Sequence, residues 1–321
     1  RLKFLDTSDQ FETNFRNNFT SIFFSHQWTG DSHPDPQNIQ YGVMCTALRE
    51  VAAREQRPLA EIYVWVDFFS IPQANRAIQR LAIASLPALA SILDYFVAIC
   101  PPADHAATLE QCGHDSYFRR CWTRAEMMSF WSRRGDNRMF YADGNTTNGS
   151  TNGASSILRS LDPKDSVQES QLDAVRVFQG QLTCCRLQHN GGTQPCDREE
   201  LMLPMLGLYG EIYARRTQPT TKLIHDAIDA HLDRIYPSTF EYEVGGGKVT
   251  RVLFGDLIAA LRHRLDCRSG KVAPEALELG KLSAGTMGSQ ETVHGRSIHG
   301  RKNSMSHDRK NSMSHGRKNS M

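Results

Sequence analysis

The chain has 321 residues, of which 40% are apolar and 22% charged, an ordinary composition for one or two globular domains. No apolar run reaches the ~18–20 residues of a membrane-spanning helix, so we predict no membrane span. Eight cysteines in a chain of this length do not indicate a disulfide framework. We therefore expect a reducing, cytoplasmic location, in which free thiols behave as small apolar side chains.

Charge is unevenly distributed along the chain, although the formal net charge is only +2. Residues 294–321 carry seven lysines and arginines and one aspartate, which leaves 30 basic against 34 acidic residues over 1–293. Nucleic-acid binding requires a basic face on the folded part, and this part is mildly acidic. We therefore predict no nucleic-acid partner for it.

Strand and helix patterns alternate through the first 145 residues. Predicted strands lie at 21–25, 61–67, 95–99 and 138–141, and predicted helices at 37–56, 76–93 (interrupted or bent at Pro87) and 117–133. Strand–helix–strand order with connections of this length indicates an α/β fold with a doubly wound parallel sheet. Ligands of such sheets bind at the carboxyl ends of the strands, which here are the loops beginning near Ser25, Asp67 and Pro101.

The chain beyond this predicted α/β domain, which covers residues 18–145, divides into three parts. Residues 146–165 are small and polar and are typical of a linker or a surface loop. Residues 166–268 are mainly helical with a hairpin, and form either a small second domain or a cap on the first. Residues 269–321 are of low complexity and basic at their end, which predicts a disordered tail.

The tail repeats the pentapeptide Arg-Lys-Asn-Ser-Met, which begins at residues 301, 309 and 317. Each copy contains Arg-x-x-Ser, so Ser304, Ser312 and Ser320 are candidate sites for a kinase that prefers upstream basic residues. Phosphate at these positions would reverse the charge of the tail. The alternative is a repeat expansion without a function.

Three short motifs follow the predicted strands and open the third helix. They are Ser25-His-Gln-Trp28, then Trp65-Val-Asp67 with Ile71 and Gln73, and then Arg120-Cys-Trp-Thr-Arg-Ala-Glu126. In this order they resemble the three conserved blocks of the fungal heterokaryon-incompatibility (HET) family: Ser-x-x-Trp, Trp-Ile-Asp-x-x-x-Ile-x-Gln and Arg-x-Trp-Thr-x-x-Glu. The resemblance covers residues 20–141.

The same region is similar to a Toll/interleukin-1 receptor (TIR) domain, in which a Trp-x-x-x-Glu helix follows the third strand. Trp122 and Glu126 fit that helix, and Gly30-Asp31 resembles a first-loop element of the family, with altered spacing. The resemblance implies a TIR/flavodoxin-like fold and, as partners, further copies of the chain or related TIR/HET-like domains. The loop after strand two departs from the family's interaction patch, so partner choice is not carried over.

Catalytic TIR domains cleave the bond between nicotinamide and ribose in NAD, and the resemblance implies Glu126 as the catalytic carboxylate. The nicotinamide group of NAD is already a cation and leaves as a neutral ring, so the reaction needs no general acid. A single carboxylate against the ribose can stabilise the positive charge of the transition state. NAD is then a substrate, and no resident cofactor is predicted. The predicted substrate-binding residues are Ser25, His26, Gln27, Trp28, Asp67 and Trp122.

Each of these residues also has a purely structural interpretation. Glu126 would then be a surface carboxylate paired with a nearby arginine, Trp122 would pack in the core, and Asp67 would cap the turn after its strand. The protein would then be a non-catalytic, self-associating module in stress, immunity or cell-death signalling. A cleft that holds Glu126 with the 25–28 loop favours the enzyme, and a Glu126 that faces water favours the module.

One further cluster of chemically active residues lies in the C-terminal region: Cys184, Cys185, His189 and Cys196. Zinc sites usually contain a paired Cys-x-x-Cys unit, and this spacing lacks one. We therefore predict no metal site from the sequence.

Overall fold

The computed structural model describes residues 19–72, 74–148, 155–161, 175–189, 195–244 and 246–270. Gln73 of the second motif and the three candidate phosphorylation sites, Ser304, Ser312 and Ser320, lie outside the described residues. None of the helices in the described ranges is long and apolar enough to cross a lipid bilayer.

The elements follow one another in alternating order through the first part of the chain. The strands are β1 (Thr20–His26), β2 (Ile62–Val66), β3 (Tyr95–Ile99), β4 (Ala103–Asp104), β5 (Gln111–Cys112), β6 (Met139–Ala142), β7 (Thr147–Asn148), β8 (Ser155–Ser156), β9 (Arg159–Ser160), β10 (Thr239–Val244) and β11 (Gly247–Val252). The α-helices are α1 (Ile39–Arg54), α2 (Asp67–Ser70), α3 (Arg76–Ile92), α4 (His114–Phe118), α5 (Cys121–Arg134), α6 (Thr183–Arg186), α7 (Asp197–Ala214), α8 (Pro219–Ala230), α9 (Leu232–Ile235) and α10 (Leu257–Arg268). Short 3-10 helices cover Leu59–Glu61 and Val177–Gln179.

The central sheet has five strands in the order β2-β1-β3-β6-β9. Strand β1 is parallel to β2 and to β3, and β3 is parallel to β6. The α/β architecture with a mainly parallel sheet is thus confirmed. The fifth strand, β9, is antiparallel to β6 and comes from the segment predicted to be a linker or loop.

Helices cover both faces of this sheet. On one face, Ile22 and Phe24 of β1 belong to a buried core that includes Ala47 and Val51 of α1. On the other face, Phe23 stacks on Trp65 and Phe96, with ring centroids 4.3 and 5.6 Å apart, and helices α3 and α5 complete that core. Both faces of β1 are buried along its whole length, so its seven residues do not alternate between apolar and polar.

Helix α3 continues through Pro87, so an interruption at this proline is wrong. The helix predicted over 117–133 is divided between α4 and α5. The backbone between α4 and α5 bonds to a distant segment. Gln181 donates its N–H to the Arg119 carbonyl (2.7 Å), and Cys121 donates to the Gln181 carbonyl (3.0 Å). A Cβ on Gly180 would lie 2.4 Å from the Cys121 nitrogen, so only glycine permits this approach.

The C-terminal helices share their core with the sheet. Leu201, Met205 and Tyr209 of α7 and Ile224 of α8 are buried in the same cluster as Phe23 of β1. The described residues belong to one compact unit. Residues on both sides of position 145 therefore build one hydrophobic core, and the C-terminal helices cover the sheet face that carries α3 and α5.

Candidate active site

A cleft of about 830 Å³ opens at the carboxyl ends of β1 and β2. It is lined by His26 at the end of β1, Asp67 after β2 and Glu126 of α5, and by Thr183 and Asp197 of the C-terminal region. Strand β1 lies between β2 and β3, so the connections on either side of it lead in opposite directions across the sheet. Ligands of open α/β sheets bind at such a point.

Glu126 faces the interior of the protein and is only 8% exposed. The Ser25 hydroxyl donates a hydrogen bond to its carboxyl, and the Tyr117 hydroxyl donates to Ser25 Oγ at 2.6 Å. The arginines nearest in sequence bond elsewhere: Arg120 donates to Thr183 Oγ1, and Arg124 donates to main-chain carbonyls. The surface ion pair considered for Glu126 is therefore not what the structure shows.

Burial raises the pKa of Glu126 to about 8, and the negative charge of Asp67 acts in the same direction. The hydrogen bond from Ser25 and the positive charges of His26 and Arg120 oppose this shift without cancelling it. At pH 7 the carboxyl group is consequently protonated, and therefore neutral, in most molecules. A cationic ligand beside it would favour the charged form.

His26 has an acceptor at each ring nitrogen: Nδ1 donates to Gln40 Oε1 at 2.6 Å and Nε2 to Asp67 Oδ1 at 2.8 Å. The Gln40 amide nitrogen donates to the Gln27 carbonyl at 2.7 Å, which leaves the Gln40 oxygen as the acceptor. Burial lowers the pKa of His26. The hydrogen bond and negative charge of Asp67, together with the hydrogen bond to Gln40, outweigh this effect and raise the pKa above its ordinary value. The raised pKa and the two acceptors both favour the protonated form of the ring.

Asp67 organises the loop that follows β1. Besides His26, it accepts hydrogen bonds from the Trp28 indole nitrogen (2.6 Å) and the Phe68 main-chain nitrogen (2.6 Å). Burial raises the pKa of this carboxyl, but the bond and charge of His26 lower it overall, so it is ionised. Asp67 therefore both accepts a bond from the first turn of its own helix and lines the cleft. Trp28 is also fixed edge-on against Phe68, with ring centroids 5.9 Å apart.

The C-terminal region holds the two cleft-lining side chains at the start of α5. The Trp122 indole nitrogen donates to Asp197 Oδ2 (3.1 Å), and Arg120 Nη2 donates to Thr183 Oγ1 (3.1 Å). Trp122 is thus partly buried: its ring packs against the main core and also lines the cleft. Within the described ranges Arg120 forms no ion pair, so its cationic group can bind an anion in the cleft.

The structure brings most of the sequence-predicted site residues to one place. We call Ser25, His26, Asp67 and Glu126 the carboxylate cluster. Neither Ser25 nor Gln27 lines the cleft. Ser25 lies behind Glu126 and is bonded to it, whereas the Gln27 side chain bonds away from the site, to Cys112 Sγ (3.1 Å) and to the Ser116 hydroxyl (2.8 Å). Sequence reasoning missed four residues of the site. Arg120 opens the third motif and had a visible signal, whereas Gln40, Tyr117 and Asp197 had none.

No family model, curated protein or solved structure matches this chain. The resemblance to HET and TIR domains therefore rests on the three motifs. The residues and geometry of the cleft are the remaining basis for assigning a function.

Proposed function

We propose that this protein is a TIR/HET-like enzyme that hydrolyses NAD to nicotinamide, ADP-ribose and a proton. The observation that carries the proposal is the position of Glu126: its carboxyl group is buried, bonded to Ser25 and part of the cleft lining. The order of the four parallel strands, β2-β1-β3-β6, is that of the first four strands of flavodoxin-like sheets, which supports the family resemblance.

Glu126 supplies the charge that the reaction needs. As the bond between ribose C1′ and the nicotinamide nitrogen breaks, its electron pair neutralises the ring, and positive charge moves to the ribose. A carboxylate buried beside the ribose stabilises that charge more strongly than one in water. With a pKa of about 8, Glu126 releases its proton as the cationic substrate binds, and water then adds at C1′.

The remaining cleft residues suit the other parts of a dinucleotide. The guanidinium of Arg120 can bind the pyrophosphate through two parallel hydrogen bonds. Trp28 and Trp122 offer flat apolar surfaces for the nicotinamide or adenine rings. The bonds that fix both tryptophans to aspartates hold these rings in place before substrate binds.

The test is to incubate the purified full chain with NAD and to measure free nicotinamide by chromatography. We expect Glu126→Gln to lose at least about 100-fold in turnover, because the amide keeps the shape of the side chain but cannot become negative. Glu211→Gln is the matched control, since Glu211 is an exposed glutamate of α7 paired with Arg215. Wild-type protein without turnover at concentrations that allow self-association, or an equally active Glu126→Gln variant, would refute the proposal.

A non-catalytic self-associating module is the second candidate function. Three large apolar side chains after the edge strand β2 favour it: Phe69 is 75% exposed, Leu81 71% and Ile78 50%. Exposed apolar surface is typical of an interface, here with a second copy of the chain. Sedimentation velocity should then show oligomers that Leu81→Glu weakens, while Glu126→Gln leaves both the oligomers and any signalling phenotype unchanged.

A further inference from the structure

A second group of chemically active side chains lies outside the carboxylate cluster. We call Cys184, Cys185, His189 and Cys196 the thiol cluster. The ligand atoms of Cys184, His189 and Cys196 all lie within 4.8 Å of one another, and these three residues are buried. The sulfur of Cys185 lies 3.8 Å from that of Cys196. Three ligand atoms thus converge on one point, and the Cys185 sulfur lies next to one of them.

We infer that the thiol cluster binds one structural zinc ion. Zinc in proteins is held by four ligands at the corners of a tetrahedron, with Zn–S distances of about 2.3 Å and Zn–N distances of about 2.0–2.1 Å. Two sulfurs on such an ion are about 3.8 Å apart, which is the observed separation of the Cys185 and Cys196 sulfurs. The ligand atoms of Cys184 and His189 lie within 4.8 Å of that of Cys196, so closing these separations by about 1 Å brings the three onto one ion. Cys185 is the proposed fourth ligand, because its sulfur lies beside that of Cys196.

His189 is the observation that points to a ligand. The residue is 1% exposed, and in the part of the chain that the structure describes neither Nδ1 nor Nε2 has a hydrogen-bond partner. A buried polar group without a partner costs about 1–3 kcal/mol, and such groups are rare in native proteins. A zinc ion bound at either nitrogen removes this cost.

The backbone before the ring is also in an unfavourable conformation. Gln188 and His189 have φ of 50° and 53°, in the left-handed region that side chains with a Cβ rarely adopt. Consecutive residues in this region require a compensating interaction. Tyr242 of the β10–β11 hairpin packs on the His189 ring, with centroids 4.5 Å apart, and holds it towards the sulfurs.

The charges around the sulfurs suit three thiolates and one neutral imidazole. The Arg198 guanidinium donates to Cys185 Sγ at 3.1 Å and approaches Cys196 Sγ at 3.7 Å, and the Asp197 main-chain nitrogen donates to Cys184 Sγ at 3.4 Å. Zinc with three thiolates carries one negative charge, which Arg198 balances. Soft sulfur ligands with one imidazole select zinc over magnesium or calcium.

The proposed ion has a structural role, because four protein ligands leave no open position for a substrate. It would join α6 to the start of α7. These two segments contribute Thr183 and Asp197, the residues that hold Arg120 and Trp122 in the cleft wall. Zinc would thus stabilise one wall of the cleft without taking part in the reaction.

The experiment measures metal content directly and does not depend on NAD turnover. The full chain, purified without a histidine tag, should contain about one zinc ion by mass spectrometry. Cys196→Ser and His189→Ala should lose most of it. Cys45→Ser is the matched control, since Cys45 is a partly exposed cysteine on α1. A wild-type chain that stays zinc-free after incubation with zinc, or a His189→Ala chain with full zinc content, would overturn the inference.

Two measurements keep the test valid if a variant fails to fold. Cobalt added to metal-free wild-type protein should give the visible absorption of a tetrahedral thiolate site. Arg198→Gln, which keeps all four ligands, should weaken zinc binding by about 10–100-fold. Mass spectrometry of the alkylated native chain covers the competing chemistry: a disulfide between Cys185 and Cys196 would refute the zinc site, and free, zinc-protected thiols would support it.

Discussion

The carboxylate cluster and the thiol cluster are both buried groups of polar side chains, and they differ in how their atoms are satisfied. Every ring nitrogen and carboxyl group of the carboxylate cluster has a partner within the chain, from Tyr117 through Ser25 to Glu126 and from Gln40 through His26 to Asp67. In the thiol cluster, neither ring nitrogen of His189 has a hydrogen-bond partner among the described residues. The first cluster therefore holds its shape in the free protein, whereas the second is complete only with a ligand.

The largest effect is expected from Asp67→Ala, which breaks the carboxylate cluster. The buried His26 ring would lose its counter-ion and one hydrogen-bond acceptor, and the Trp28 indole would lose its acceptor. Removing one member of a buried pair costs about 3 kcal/mol or more in the free energy of unfolding. Urea denaturation measures this loss. Asp233→Asn, an exposed aspartate of α9, should be neutral, and an Asp67→Ala variant as stable as wild type would show that the cluster contributes nothing.

The next effect concerns Glu126 and pH. Because the pKa of Glu126 is raised from 4.5 to about 8 in the folded protein, its contribution to stability is complete below pH 4.5 and is lost as pH rises towards 8. Glu126→Gln does not titrate. The free energy of unfolding of wild type relative to this variant should therefore fall by on the order of 3 kcal/mol between pH 4.5 and 8. Parallel stability curves for the two proteins would contradict the raised pKa.

The same group should govern the pH dependence of the proposed reaction. The active form of Glu126 is the carboxylate, so kcat/KM should rise about tenfold per pH unit below pH 8 and level off above it. Nicotinamide release at low NAD concentration, followed from pH 6 to 9, measures this profile. In saturating NAD the cationic substrate should shift the midpoint to lower pH. A rate that falls over this range would point to a general acid instead.

The smallest expected effect is on the free energy of unfolding when His189 of the thiol cluster is replaced. In the presence of a chelator, His189→Leu should raise the free energy of unfolding by about 1 kcal/mol, because it removes a buried group without a partner. With zinc present, the same substitution should destabilise the chain, since a ligand is lost. Urea denaturation under both conditions gives the two values. If His189→Leu were the more stable protein both with chelator and with zinc, His189 would not be a metal ligand.

The sheet could be predicted from the sequence because its strands are short apolar runs between turn residues. Strand β3 coincides with its predicted bounds, and β1 and β6 differ from theirs by one residue at each end. The antiparallel strand β9 could not be found, because Arg159 and Ser160 show no apolar pattern and pair only through distant backbone. The break before α5 has the same origin, since Gln181 forms hydrogen bonds there across 60 positions.

The site was predictable to the extent that it is carried by motifs. Residues 25–28 and Asp67 stand where β1 and β2 end, and Glu126 lies on the helix that follows β3, so topology brings them together. Tyr117 and Gln40 act through contacts that span 92 and 14 positions and leave no local pattern. The spacing of the thiol cluster in the sequence, which lacks a Cys-x-x-Cys unit, predicts no metal site. Its ligands come from α6, the turn at His189 and the residue before α7, so the fold replaces the usual Cys-x-x-Cys unit.

The close approach at Gly180 has a consequence for inheritance. The segment around this glycine is bonded to the backbone where α5 begins, and α5 carries Trp122 and Glu126, with Arg120 directly before it. A gene that ended near residue 145 would retain all three motifs, yet its product would lack the segment that shapes their helix. We therefore expect the two halves to occur together in related chains, with compensating changes between positions 119–122 and 180–183.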